Sequence, residues 1–285
     1  MTGQRLIAAA GAALALAPAG AANAACASDE EIARFIADFD SRTPTEALAA
    51  GGTMADARCT ADKLRAELTD RLGPVVGHKA GLTSDGAMEA FGVDEPVRGL
   101  LYRDMLLEDG ATVPEDFGAR PLFEADLVLV VADAAINEAE TPEGAMAHVS
   151  AVHPFIELPD LMYAEDQPLT GVTVTAGGVG PRLGVLGEAI EVAEPAAMAE
   201  ALAEMTVRVT AADGEVMAEA PGALVLGNPV NSVLWLTGQG VTLAPGDLIS
   251  VGSISPLLPP GKAGGQAEVT YDGLPGTPSV SVTFE

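Results

Sequence analysis

The chain has 285 residues, 48% of them hydrophobic, and a formal net charge of −27. That length and apolar content suit one sizeable packed domain, or a core domain with a small appendage. The charge argues against nucleic acid and anionic membrane as partners, since both would be repelled over the whole surface.

Residues 1–24 read as an export signal. Arg5 gives a positive start, 6–17 form a short apolar run, and Ala22-Asn23-Ala24 is a small-x-small cleavage site. The mature chain then begins at Ala25, and a periplasmic or secreted location follows. The alternatives are a lipoprotein with Cys26 as acceptor and a cytosolic chain with a mistaken start. In an oxidising compartment Cys26 and Cys59, the only cysteines, are expected to pair as a disulfide. Ile32, Phe35, Ile36 and Phe39 recur at helical spacing over 29–39, and Ser28 with Glu31 three residues later makes a capping box. After breaks at Pro44 and Gly51-Gly52 a second helix is predicted over 55–72. Residues 25–73 thus read as a small helical N-terminal lobe, and 74–285 as the main domain.

Residues 75–84 predict a strand running into a glycine-rich turn. Lys79 stands there among apolar neighbours, where desolvation lowers a lysine pKa and suits it to proton transfer; the alternative is an ordinary strand-edge lysine. A short helix is predicted over 88–91, and a turn followed by a short strand over 99–105. Residues 123–131 predict a buried strand that opens with Glu124 and Asp126. Residues two apart on a strand share a face, so both carboxylates point the same way. Burying them beside Leu and Val calls for a positive partner, and a divalent cation with hard oxygen ligands is the candidate. Glu157, in a second apolar stretch over 153–158, is the third candidate ligand. The competing reading places all these acids at the wet ends of ordinary strands.

Further along, 136–141 read as polar loop and 142–149 as a helix. Residues 171–182 read as a loop-rich crossing, which lacks the Lys-Ser or Lys-Thr of a phosphate loop. The last hundred residues alternate strand and turn: 183–192, then 206–210 and 215–218 about the turn Ala211-Ala212-Asp213-Gly214. A helix over 230–236 follows, then strands over 248–253, 267–271 and 279–284. The predicted class is α+β, with a rolled, mixed and antiparallel-rich sheet carrying the helical lobe at one end.

Several stretches together resemble the hydratase/decarboxylase branch of the fumarylacetoacetate hydrolase superfamily, which includes 2-keto-4-pentenoate hydratase. They are Gly77-His78-Lys79-Ala80-Gly81-Leu82-Thr83-Ser84, Gly99-Leu100-Leu101-Tyr102-Arg103-Asp104-Met105, Phe123-Glu124-Ala125-Asp126, Ile156-Glu157, the run 226–236, and Pro245-Gly246-Asp247-Leu248-Ile249-Ser250. The resemblance implies a magnesium or manganese ion on Glu124, Asp126 and Glu157, and Lys79 as the active-site lysine. It offers Leu82, Ser84, Asp104 and Ser253 as substrate contacts. The implied reaction is a metal-dependent hydration or decarboxylation of a small unsaturated 2-keto acid, by a homo-oligomer. Carbon–carbon bond hydrolysis within the same superfamily, and an exported non-catalytic binding protein on the same scaffold that takes up an oxo-acid or dicarboxylate, are the alternatives. This chain departs from the family at Ala176-Gly177-Gly178-Val179-Gly180-Pro181, where relatives carry polar side chains, and at Asn228, Val251 and the shorter Asp126.

Overall fold

The structure is a computed structural model that describes residues 26–285; the export signal expected over 1–24 lies outside them. Two capped helices open the chain. In α1 (Asp29–Ser41) Ser28 accepts from the Glu31 amide while Glu31 accepts from the Ser28 amide at 2.7 Å. Thr53 and Asp56 repeat the device at α2 (Met54–Leu72). The other helices are α3 (Asp85–Phe91), α4 (Pro142–Met146), α5 (Gly171–Ala176), α6 (Pro195–Glu204) and α7 (Asn231–Gly238). The strands are β1 (Val75–Gly81), β2 (Val97–Tyr102), β3 (Leu106–Glu108), β4 (Ala111–Val113), β5 (Glu124–Val131), β6 (Val149–Leu158), β7 (Leu183–Leu186), β8 (Ile190–Glu191), β9 (Thr206–Ala211), β10 (Val216–Pro221), β11 (Leu248–Ser250), β12 (Gln266–Asp272) and β13 (Ser279–Phe284).

They form two mixed sheets. One runs β2-β1-β11-β5-β6-β7-β3, with β8 also paired to β6, and the other runs β10-β9-β12-β13-β4. Most pairings are antiparallel; β1 with β11, β3 with β7 and β4 with β13 are parallel. The α+β class therefore holds, with a second sheet in place of a single rolled one. The larger core draws on both sheets, from Leu127, Leu129 and Ile156 in one to Val209, Val269 and Val282 in the other. A second core joins Phe35, Leu64 and Leu68 of the N-terminal helices to Leu101, Tyr102, Tyr163 and Ala176. Phe35 meets the Tyr163 ring edge-on at 6.2 Å between centroids. The helical lobe is thus fastened to the main body by shared apolar packing.

Two expectations need correction, and one helix lies outside them. Residues 171–176 are helical, not loop: the Thr170 hydroxyl caps the Thr173 amide, and burial of Thr173 and Ala176 overrides the poor helix propensity of Gly, Val and Thr. The region 97–105 has strand first and turn second. Helix α6 has no counterpart among the expectations, although Pro195 at its first turn and the five alanines behind it are a legible helix start.

The parallel join of β1 to β11 holds the lysine strand against the middle of the sheet, with Gly77 level with Leu248 and Lys79 level with Ser250. A Cβ at Gly77 would overlap the Leu248 carbonyl. Gly77→Ala is therefore expected to cost about 3 kcal/mol, read as a lower urea midpoint at unchanged slope. An unchanged midpoint would mean that this join has slack.

Candidate active site

Pairing register assembles the site. β5 runs antiparallel to β6 with Glu124 directly across from Glu157 and Asp126 across from Phe155. Side chains opposite one another lie on the same face, so Glu157 joins the face that period two assigns to Glu124 and Asp126. Ser250 is level with both Lys79 on β1 and Val128 on β5, which brings the lysine to that face from the other side. From the rear, the Tyr271 hydroxyl donates to the Asp126 carbonyl at 2.6 Å and accepts from the Phe155 amide at 3.2 Å, tying the two acidic strands together.

The four groups are nearly dry: Glu124 is 9% exposed, Lys79 3%, Glu157 1% and Asp126 0%. The wet-end alternative is thereby excluded. Lys79 Nζ donates to Glu157 Oε1 and to the Val179 carbonyl at 3.0 Å. Asp126 Oδ1 accepts from the amides of Leu127 and Gly252, the latter at 3.0 Å, and Oδ2 accepts from the Ser250 hydroxyl. Three carboxylates therefore share one buried lysine. Burial first, and the Glu157 charge second, push the Glu124 pKa well above its ordinary value, with Lys79 opposing. The same two causes push Asp126 up to about 7, against the Ser250 hydrogen bond. Among the described residues no three Asp, Glu, His or Cys side chains already stand as a metal cage. The reason is visible: Glu157 is turned to Lys79, and Asp126 to Ser250 and Gly252.

Glu124, Glu157 and Lys79 lie in the wall of a cavity of about 440 Å³. Leu82, Ser84 and Ser253, offered by the resemblance as substrate contacts, also line it. Ser84 is in part occupied as the cap of α3, accepting from Ala87 at 3.3 Å, and Ser253 donates to the Ser255 carbonyl. Leu82 holds a positive φ of 56°, which marks a tightly specified turn. Asp104 does not line the cavity. The chain leaves β2 in a single tight turn that carries its carboxylate outward, where it pairs with Arg103 Nε at 2.9 Å, so it is withdrawn as a substrate contact. Asp126 is not in the cavity wall either; its two oxygens are taken up by the Leu127 and Gly252 amides and the Ser250 hydroxyl.

Two residues escaped the sequence reading. Thr83 lines the cavity, and its Oγ1 is buried without a hydrogen-bond partner among the described residues. A buried hydroxyl left so is costly and is suited to meet a ligand. Asp160 also lines the cavity, with its carboxylate accepting from the amides of Ala119 at 2.9 Å and Arg120 at 2.8 Å. Thr83 could have been found, since it sits between Leu82 and Ser84. No pattern in the sequence signals Asp160.

Comparison with known proteins places this geometry. The family profile described as fumarylacetoacetate (FAA) hydrolase C-terminal matches residues 96–276. A 2-keto-4-pentenoate hydratase of Burkholderia vietnamiensis is 30% identical over 214 residues, 74% of this chain and 78% of that protein. A 2-hydroxyhexa-2,4-dienoate hydratase of Comamonas testosteroni is 26% identical over 73% of this chain and 78% of its own. Among solved structures, 4-oxalocrotonate decarboxylase from Pseudomonas putida G7, complexed with calcium and acetate, is similar with a TM-score of 0.71. That match is 25% identical and covers 91% of this chain and 99% of the decarboxylase. The same enzyme complexed with magnesium and adipate gives a TM-score of 0.72 at 24% identity, over the same shares of the two chains.

Proposed function

Because the chain belongs to the fumarylacetoacetate hydrolase family, we propose that it is a divalent-metal-dependent lyase that hydrates or decarboxylates a small unsaturated 2-keto acid at the Glu124–Glu157–Lys79 end of its cavity. The observation that carries this reading is the buried charge imbalance: three carboxyl groups face one lysine, an excess of acid in which burial and the Glu157 charge disfavour ionisation of Glu124 and Asp126 while no ion is present. A divalent ion offsets that excess, and the all-oxygen donor set fits magnesium or manganese better than zinc. Glu124, Asp126 and Glu157 would hold it. When bound, the ion supplies Lewis acidity toward the carboxylate and 2-oxo oxygens of the acid.

The chain's own groups do the rest. Lys79 Nζ moves the proton on the substrate's carbon chain as enol and oxo forms interchange, and Glu157 Oε1 and the Val179 carbonyl fix the ammonium for that transfer. Thr83 Oγ1 offers an unpartnered hydroxyl to the acid's oxygens, Ser253 can add its own by turning from the Ser255 carbonyl, and the apolar remainder of the cavity excludes water from the enol. The mature protein with magnesium or manganese is expected to turn over an unsaturated 2-keto acid, followed by loss of dienol absorbance, and chelation should stop it. No turnover with either ion, for any such acid, would sink the lyase reading. Tight uptake without product would favour the second reading, a non-catalytic binder. Support for that one comes from 177–181, which contributes the Val179 carbonyl and no polar side chain to the site.

Export, the cysteine bond and a homo-oligomeric state belong to the same proposal. Cys26 and Cys59 have Cα atoms 5.2 Å apart, a spacing a disulfide accepts. Closing 33 residues of chain is worth about 3–4 kcal/mol in the chain-entropy account. Reductant is therefore expected to lower the denaturation midpoint of the exported protein, while a chain isolated with two free thiols would contradict the bond.

A further inference from the structure

The catalytic end of the cavity is polar, and the rest is not. Phe35, Phe91, Leu161, Leu169, Leu224 and Leu257 line the remainder, drawn from α1, α3 and three separate loop or turn segments. Three large hydrophobic side chains are exposed among the described residues, and two of them, Leu224 and Leu257, stand at this cavity. Lys79 is the one cation in the lining, and it is already paired with Glu157. The polar wall residue nearest in kind to a second recognition group is Asp160, itself an acid bonded to two backbone amides and ion-paired at 4.0 Å with Arg182, which does not line the cavity. At about 440 Å³ the space equals roughly fifteen water volumes at ~30 Å³ each, well beyond what a five-carbon acid fills.

From these observations we infer that the substrate is a 2-keto monoacid with an extended hydrocarbon tail, which runs from the carboxylate cluster past Phe91 to the exposed Leu224 and Leu257, and that dicarboxylic oxo acids are rejected. The inference rests on the reading of the Glu124–Glu157–Lys79 end as the seat of the oxo-acid head. A second carboxylate at the far end of the tail would be desolvated against apolar side chains with no unpaired cation in the lining to meet it, since Lys79 is held by Glu157 and Arg182 stands outside the lining, paired with Asp160. A hydrocarbon tail, by contrast, gains with every buried methylene and covers the two exposed leucines.

Calorimetric titration of the mature protein in magnesium, with four unreactive saturated acids, tests this: pyruvate, 2-oxohexanoate, 2-oxooctanoate and 2-oxoadipate. 2-Oxohexanoate is expected to bind at least about tenfold tighter than 2-oxoadipate, which differs by the terminal carboxylate, and 2-oxooctanoate about tenfold tighter again. Equal or tighter binding of 2-oxoadipate, beside measurable binding of pyruvate, overturns the tail while leaving the head site standing. Failure of all four, pyruvate included, removes the oxo-acid site itself and the tail with it. Leu257→Asp, at the exposed rim where folding tolerates a charge, should weaken 2-oxooctanoate at least about threefold and leave pyruvate unchanged. An equal effect on both acids, or none on either, takes the rim out of the tail's path and overturns that placement.

Discussion

Glu124→Gln is expected to lower kcat with magnesium by about 10²–10³ and, at the same time, to make the metal-free protein harder to melt. The two signs come from one cause. Glu124 is buried across from Glu157 and beside Asp126, and burial and those charges disfavour its ionised form. Glutamine keeps the shape and cannot ionise, so the cost that burial and the neighbouring charges impose on the carboxyl falls away when no ion is present. A rise of about 2–4 °C is the shift that ~1 kcal/mol gives a chain near this size. Adding magnesium should raise the wild-type melting temperature and barely move the variant, because an oxygen ligand and its charge are gone. Differential scanning calorimetry of both proteins, with and without magnesium, reads all four values. A variant that melts lower than wild type without metal would show that Glu124 is a structural acid whose hydrogen bond with Ser253 outweighs the repulsion, and the charge-imbalance argument would fail with it.

How far the sequence could reach is clear from the same residues. Glu124 and Asp126 share a face because the side-chain period of a strand is two, and that much is legible from nine consecutive letters. That Glu157 lies across from Glu124 depends on the register of β5 against β6, a non-local choice that no window of sequence contains. The family resemblance supplied it instead. The closing of Lys79 on Glu157 has the same origin: β1 reaches the acidic strands only through β11, some 170 residues away in the chain. Asp104 failed for the opposite reason. Its motif matched, but a motif does not say which way a tight turn points a side chain, and Arg103 draws it to solvent. At α5 local propensity misled, since Gly, Val and Thr argue against a helix that capping by Thr170 and contact with α2 secure. The position of Thr83 between Leu82 and Ser84 was legible, but that its hydroxyl is left unpartnered is a property of its surroundings, not of its type.

Lys79→Met is expected to be the most damaging single change to stability, at about 3–5 kcal/mol, and to leave no measurable turnover. Methionine fills similar space without charge, so packing is largely kept and the loss is electrostatic. The ammonium is the side-chain cation beside Glu157, and without it three carboxylates remain buried in each other's field. Coulombic accounting then predicts a rescue that a packing defect would not show. In Lys79→Met with Glu157→Gln the charge left behind is cancelled, and the pair is expected to recover at least half of the lost stability while remaining inactive. Magnesium should also stabilise Lys79→Met more than it stabilises wild type, since the ion then meets a greater excess of negative charge. Urea titrations of the four proteins of this cycle, with and without magnesium, separate the causes. If the double variant is as unstable as Lys79→Met, or if magnesium stabilises the single variant no more than wild type, then Lys79 serves as filler between β1 and β6. Its assignment as the proton carrier would then lose the geometric support on which it stands.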